Sequence, residues 1–178
     1  LVEAHILSWP LIVAGLLAGT AIGVWLSIKV LMIQMPQMVA LLNGFGGGAS
    51  ALVALMTIFQ ANAQGGLTPF TWFTSGLAIV VGGVTLSGSL VAAAKLHGIM
   101  GQRPVYLKNH NLHLWVSLVV MALSTLGLTF EVGPVFLHAV LLSVFSLYFG
   151  YVFTIRVGGA DMPITISLLN SFSGVAGS

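Results

Sequence analysis

Residues Val135–Ile155 read VFLHAVLLSVFSLYFGYVFTI, 21 positions without one Asp, Glu, Lys or Arg. Wound as a helix at 1.5 Å per residue, such a run is about 32 Å long, close to the hydrocarbon thickness of a bilayer. A helix satisfies all its backbone N–H and C=O groups internally, which is what crossing lipid requires. Working outward from this run, the same pattern recurs at about Ile6 to Val30, Gln37 to Phe59, Phe70 to Ala94 and Leu114 to Phe130. A sixth apolar run opens at Met162 and reaches Ser178. At roughly 24 Å it is short for a full crossing, so either it is a half-span or, the reading favoured, the polypeptide continues beyond it. The first run lacks a basic flank and is too long for a signal peptide, so it reads as a true span.

The expected class is therefore an all-α integral membrane protein of about six transmembrane helices, part of a larger helical bundle, with residues 1–178 forming one transmembrane domain. Composition agrees, with 58% of the 178 residues hydrophobic and 4% charged, against roughly 25% charged in soluble domains. A net charge of +2 with no basic cluster gives no footing for nucleic acid. There are no cysteines, which removes disulfides and thiolate metal sites.

Charge placement sets the orientation. With the amino terminus outside, Lys29, Lys95, Arg103, Lys108 and Arg156 all fall at inner ends, while Glu3 and Glu131 fall at outer ones. That is the positive-inside pattern. Asp161 is the one acid on the basic side, following Val-Gly-Gly-Ala and preceding the Pro of the sixth run. It reads either as a loop ion pair with Arg156 or as the place where protons arrive at a helix mouth. The Gly-Gly before it suggests a hinge.

Glycines dominate the small residues: Gly15, Gly19 and Gly23 recur every four positions, as do Gly44 and Gly48. Faces of this kind let membrane helices pack closely. The Gly44–Gly48 stretch is no nucleotide loop, because no strand precedes it and no acid follows at the required distance.

The second and sixth runs are copies of one another, offset by 127 residues. Met35, Pro36, Leu41, Leu42, Asn43, Phe45, Gly47 and Ala49 recur as Met162, Pro163, Leu168, Leu169, Asn170, Phe172, Gly174 and Ala176, eight identities in fifteen positions. Four crossings separate them, so both run in the same direction, a parallel repeat. Pro fits the first helical turn, where its missing N–H costs nothing. The Asn seven residues later then lies roughly 10 Å deeper. An amide donates and accepts at once, so Asn43 and Asn170 can hold water in a proton path without titrating. The alternative is that each simply bonds a neighbouring helix. Thr85 and Ser89 share one face of the third run and Ser87 lies on another; their hydroxyls either relay through water or return a bond to the preceding turn.

Three blocks carry a resemblance: Met35–Asn43 (MPQMVALLN), Val84–Gly98 (VTLSGSLVAAAKLHG) and Gly158–Gly174 (GGADMPITISLLNSFSG). They resemble the membrane domain of the beta subunit of proton-translocating NAD(P)+ transhydrogenase, in the family's order and across most of the chain. The resemblance implies an enzyme component that moves protons across the membrane, coupled to hydride transfer from NADH to NADP+ in separate soluble domains. It implies no hydride-transfer residue, bound cofactor or metal in this segment. Its expected partners are the transmembrane helices of an alpha subunit, an NAD(H)-binding domain, an NADP(H)-binding domain docked on the inner face, and a second copy of the whole complex. The expected location is the bacterial inner membrane. Residue by residue, Asp161 matches the family's acid at the inner mouth, Asn170 its intramembrane Asn, and Ser87 and Ser89 its hydroxyl-rich helix. Asn43 departs from the pattern, since many members carry a histidine there. The titrating group is therefore expected elsewhere, on a partner helix facing Asn43.

Of the five histidines, His97, His110 and His113 read as solvated loop residues, and His5 as an outer-end residue. His138 alone lies inside a run, about one turn from its outer end, where it either snorkels to the interface or serves as a proton exit. Two other function classes fit the repeat: a secondary transporter for ions or small solutes, and a passive helical scaffold in which the asparagines only pack.

Overall fold

The computed structural model describes residues 9–64 and 68–176. Six helices follow in order: α1 (Trp9–Lys29), α2 (Met35–Gln64), α3 (Pro69–Leu96), α4 (His110–Thr129), α5 (Val135–Ile155) and α6 (Met162–Ala176). Short 3-10 turns at Met32–Gln34 and Gly159–Asp161 lead directly into α2 and α6. The two repeat copies thus share a local fold as well as a sequence: a 3-10 turn, then a helix opening Met-Pro. Among the described residues five helices, α1 to α5, are long and apolar enough to cross a membrane, and α6 has 15 residues. The protein is an all-α, multi-pass membrane protein.

The spans match the hydropathy reading closely at α3 and α5, and residues 6–8 of the first run lie outside the described residues. Two ends differ. α2 runs on to Gln64 rather than stopping near Phe59, and α4 starts at His110 rather than Leu114. A helix carries polar residues such as Gln60 and Asn111 past the apolar run, because its backbone bonds do not depend on side-chain hydropathy.

The chain divides into residues 1–35 and 36–178. The first part is essentially α1, apolar on every face, with Lys29 in its last turn. In the second, α3 is the central helix, packed against α4, α5 and α6. Its start is built for the purpose: Thr68 Oγ1 accepts from Thr71 N at 3.2 Å and Pro69 fills the first turn.

Glycine is what lets neighbours reach α3. A Cβ placed on Gly47 of α2 would stand 2.7 Å from Thr85 Cβ and 2.9 Å from the Gly82 carbonyl oxygen. A Cβ on Gly83 would collide with the Ser146 hydroxyl, and one on Gly150 with that of Ser87, so α3 and α5 also meet backbone to backbone. Two clusters fill the interior. Ile58, Trp72, Ile79, Met121, Leu128 and Leu142 pack near one end; Ala40, Ala92, Ala93, Met162 and Ile166 pack near the other. The outward side chains of α4, among them Trp115, Val119, Leu123 and Leu126, are apolar and exposed, as a lipid-facing surface must be.

α4 ends in a Schellman turn with Glu131 at φ 53°, where Glu131 N donates to Leu128 O at 3.2 Å and Val132 N to Gly127 O at 2.8 Å. The left-handed backbone strains any residue with a Cβ. Trp72 Nε1 donates to Glu131 Oε1 at 3.0 Å and holds the residue there.

Candidate functional site

An open-sided groove of about 740 Å³ runs between α2 and α6, with Asn43 and Ser50 from one helix and Ser167, Asn170 and Ser173 from the other on its walls. Pro163 lines the same groove, so the Pro and the Asn of α6, seven residues apart, share the face presented here. The two repeat copies face one another across this groove.

Side chains of both walls are bonded to α3, which does not itself line the groove. Asn43 is half-buried and donates through Nδ2 to Ser89 Oγ at 3.0 Å. Thr85 and Ser173 hydroxyls lie 3.0 Å apart, and Ser173 also donates to Leu169 O at 3.2 Å. A hydroxyl has one hydrogen. Ser173 uses its own on Leu169, so Thr85 is the donor in the pair. Thr85 and Ser89 are both fully buried, and each fastens one repeat helix to α3, Ser89 holding α2 and Thr85 holding α6. Both escaped the alternative fate of bonding their own helix. Asn170 is exposed on the groove wall, its amide accessible to whatever fills the space.

Ser87 is not part of this arrangement. Its hydroxyl returns to Gly83 O at 3.0 Å and lies against Gly150 of α5, on the other side of α3. Asp161 is exposed at the end of the 3-10 turn before α6; its N–H donates to Gly158 O at 3.0 Å, and its carbonyl accepts from Thr165 Oγ1 at 3.3 Å. It stands at the mouth of α6, two residues ahead of Pro163, and not in the groove. His138 is at the far end of the bundle, in the first turn of α5. Its Nε2 lies 2.6 Å from Val132 O and its ring fills the space left by Gly127, while Nδ1 is buried without a partner among the described residues. Because a carbonyl only accepts, the proton sits on Nε2.

Three features escaped sequence reading. Lys95 is fully buried. His110 is buried too, not a solvated loop residue, with Nδ1 accepting from Leu107 N at 3.4 Å. Gln37 bridges the end of α3, donating to Leu96 O at 3.2 Å and meeting His97 Nδ1 at 2.9 Å. Gly44–Gly48 lies inside α2, which settles that it is no phosphate loop. Among the described residues no three His, Asp or Glu side chains form a metal-ligand set.

All of residues 1–178 match the protein family described as NAD(P) transhydrogenase beta subunit. The chain belongs to that family. Two curated relatives from Rhodospirillum rubrum, one of them from strain ATCC 11170, are described as NAD(P) transhydrogenase subunit beta. Each is 32% identical over 181 aligned residues, which cover 99% of this chain and 39% of the relative. The chain therefore spans about two fifths of their length. Its three resembling blocks fall on the start of α2, on the central α3 and on the 3-10 turn and helix of α6: the two helices that line the groove and the one that both are bonded to.

Proposed function

We propose that this segment forms the proton path of a proton-translocating NAD(P)+ transhydrogenase, coupled to hydride transfer between NADH and NADP+ in soluble domains outside it. The observation that carries the reading is the groove itself. Two like-oriented helices bring Asn43 and Asn170 onto its walls, with serines beside them, in a protein whose α4 turns an apolar face outward. Polar groups at such depth are expensive and tend to mark ion pathways. Water standing between the walls meets donors and acceptors from both amides, and protons can pass along such water.

Neither amide titrates, so the gate needs an ionisable group from elsewhere. The open side of the groove gives a helix of an alpha subunit room to bring one opposite Asn43. Asp161, at the mouth of α6, collects protons on the inner face of a bacterial inner membrane. The NADP(H)-binding domain docks on that face, and the NAD(H)-binding domain and a second copy complete the complex. NAD(H) and NADP(H) are bound in those domains, not here.

The test is Asn170→Leu in the complete complex, reconstituted in vesicles and assayed for proton uptake during transhydrogenation. Proton uptake should fall at least tenfold with the complex still assembled. Undiminished uptake would leave Asn170 as helix packing and remove the proposed path.

A further inference from the structure

Lys95, the penultimate residue of α3, is 0% exposed. A buried ammonium must be held by hydrogen bonds. Its Nζ donates to Ile155 O at 2.5 Å, to Val157 O at 2.8 Å and to Arg103 O at 3.4 Å. All three acceptors are backbone carbonyls rather than a carboxylate. Ile155 closes α5, where the final carbonyls lack helical partners and the helix dipole is negative, so a cation is well matched to the position.

Three stretches of chain therefore meet at one amine: the end of α5, the 156–158 connection, and the 97–109 loop between α3 and α4. Other bonds reinforce the joint. Val105 N donates to Ile155 O at 3.0 Å, and Gly159 N to Gln102 O at 2.9 Å. A Cβ on Gly159 would lie 3.0 Å from Gln102 Cβ, so loop and connection run against each other. The connection turns at once through Gly159–Asp161 into α6, whose Pro163, Asn170 and Ser173 line the groove. A push on the 97–109 loop has a continuous bonded route to the groove wall.

We propose that Lys95 is a positioning residue that binds the 97–109 loop and the 157–161 connection into one moving body, so that a domain docking on the loop sets the placement of α6. This rests on reading the groove as the proton path. A purely space-filling residue would not need three separate carbonyls, and Lys95 is one side chain that reaches the 97–109 loop at Arg103 O and the connection at Val157 O together.

The experiment uses the complete complex in vesicles, measuring protons taken up per hydride transferred. Lys95→Met removes the donors and keeps the apolar stem; Gln102→Cys with Gly159→Cys supplies a covalent replacement for the joint in a segment that has no cysteine of its own. In Lys95→Met the proton-to-hydride ratio should fall at least fivefold, and amide hydrogen exchange at Val105 and Gly159 should rise at least tenfold. Crosslinking should restore the ratio to within twofold of the parent, and in the Lys95 background it should leave the ratio unchanged. An unaltered ratio in Lys95→Met, a loss that crosslinking does not restore, or a crosslink that stops turnover in the Lys95 background overturns the proposal. If Lys95→Met fails to assemble, the crosslinked Lys95 protein decides alone: arrest refutes a single body, and full coupling supports it. A parent complex that takes up no protons sinks the proton-path reading instead, a separate outcome.

Discussion

Removing one oxygen, in Ser89→Ala, tests whether α2 is tied to α3 through the amide that lines the groove. Ser89 is fully buried and its Oγ accepts from Asn43 Nδ2 at 3.0 Å, so no other group competes for that contact. Hydrogen bonds between membrane helices average about 0.6 kcal/mol and reach about 1.7. Asn43 is half-buried, and once freed it can turn to water in the groove. The loss should therefore sit in the lower part of that range, about 0.6 to 1 kcal/mol, a threefold to fivefold shift in the folding equilibrium. The assay is a double-mutant cycle of Ser89→Ala and Asn43→Leu, with unfolding followed in detergent and proton uptake followed in vesicles. The coupling energy should be positive and of that size. Proton uptake should fall severalfold in Ser89→Ala, beyond what stability explains, because a freely turning amide no longer fixes the water. A coupling energy of zero, with additive effects on uptake, would refute both the bond and its role.

Gly82→Ala places a methyl against the Gly47 carbonyl and 2.8 Å from Ala51 Cβ. It should cost about 1 to 3 kcal/mol in the same unfolding assay, whereas Gly46→Ala, which meets nothing within 4 Å, should stay within about 0.5 kcal/mol. Asp161→Asn should slow proton-coupled turnover several-fold with little change in stability, since the carboxylate is exposed; unchanged pumping and an unchanged response to NADP(H) in vesicles would remove Asp161 from the path.

The spans were legible because hydropathy alone dictates them, and the ends of α5 fall where the apolar run does. The paired amides were legible for a different reason: an internal repeat told that two positions are equivalent before any coordinates placed them on one groove. Spacing likewise separated Ser87 from Thr85 and Ser89, since residues two apart on a helix face different ways. What stayed hidden depends on backbone partners. Nothing in Lys95 marks it as a cap for α5, because its acceptors are carbonyls of Ile155, Val157 and Arg103 that any residue type would supply. His138 was assigned to an interface or an exit, but its ring is set by a turn closing onto Val132 O and by the room above Gly127. Such contacts arise from how a turn folds, and no side-chain pattern encodes them.

Water between the two repeat helices is the claim on which everything else depends, and cysteine accessibility measures it. With no native cysteine in the segment, single replacements at Ser50, Ser167 and Ser173 on the groove can be compared with Leu123 and Leu126 on the exposed apolar face of α4. In the assembled complex, a membrane-impermeant, water-soluble thiol reagent should label the groove positions and leave the α4 positions unreacted. Silent groove positions alongside a properly folded complex would mean a dry interface, and the proton path would have to lie elsewhere.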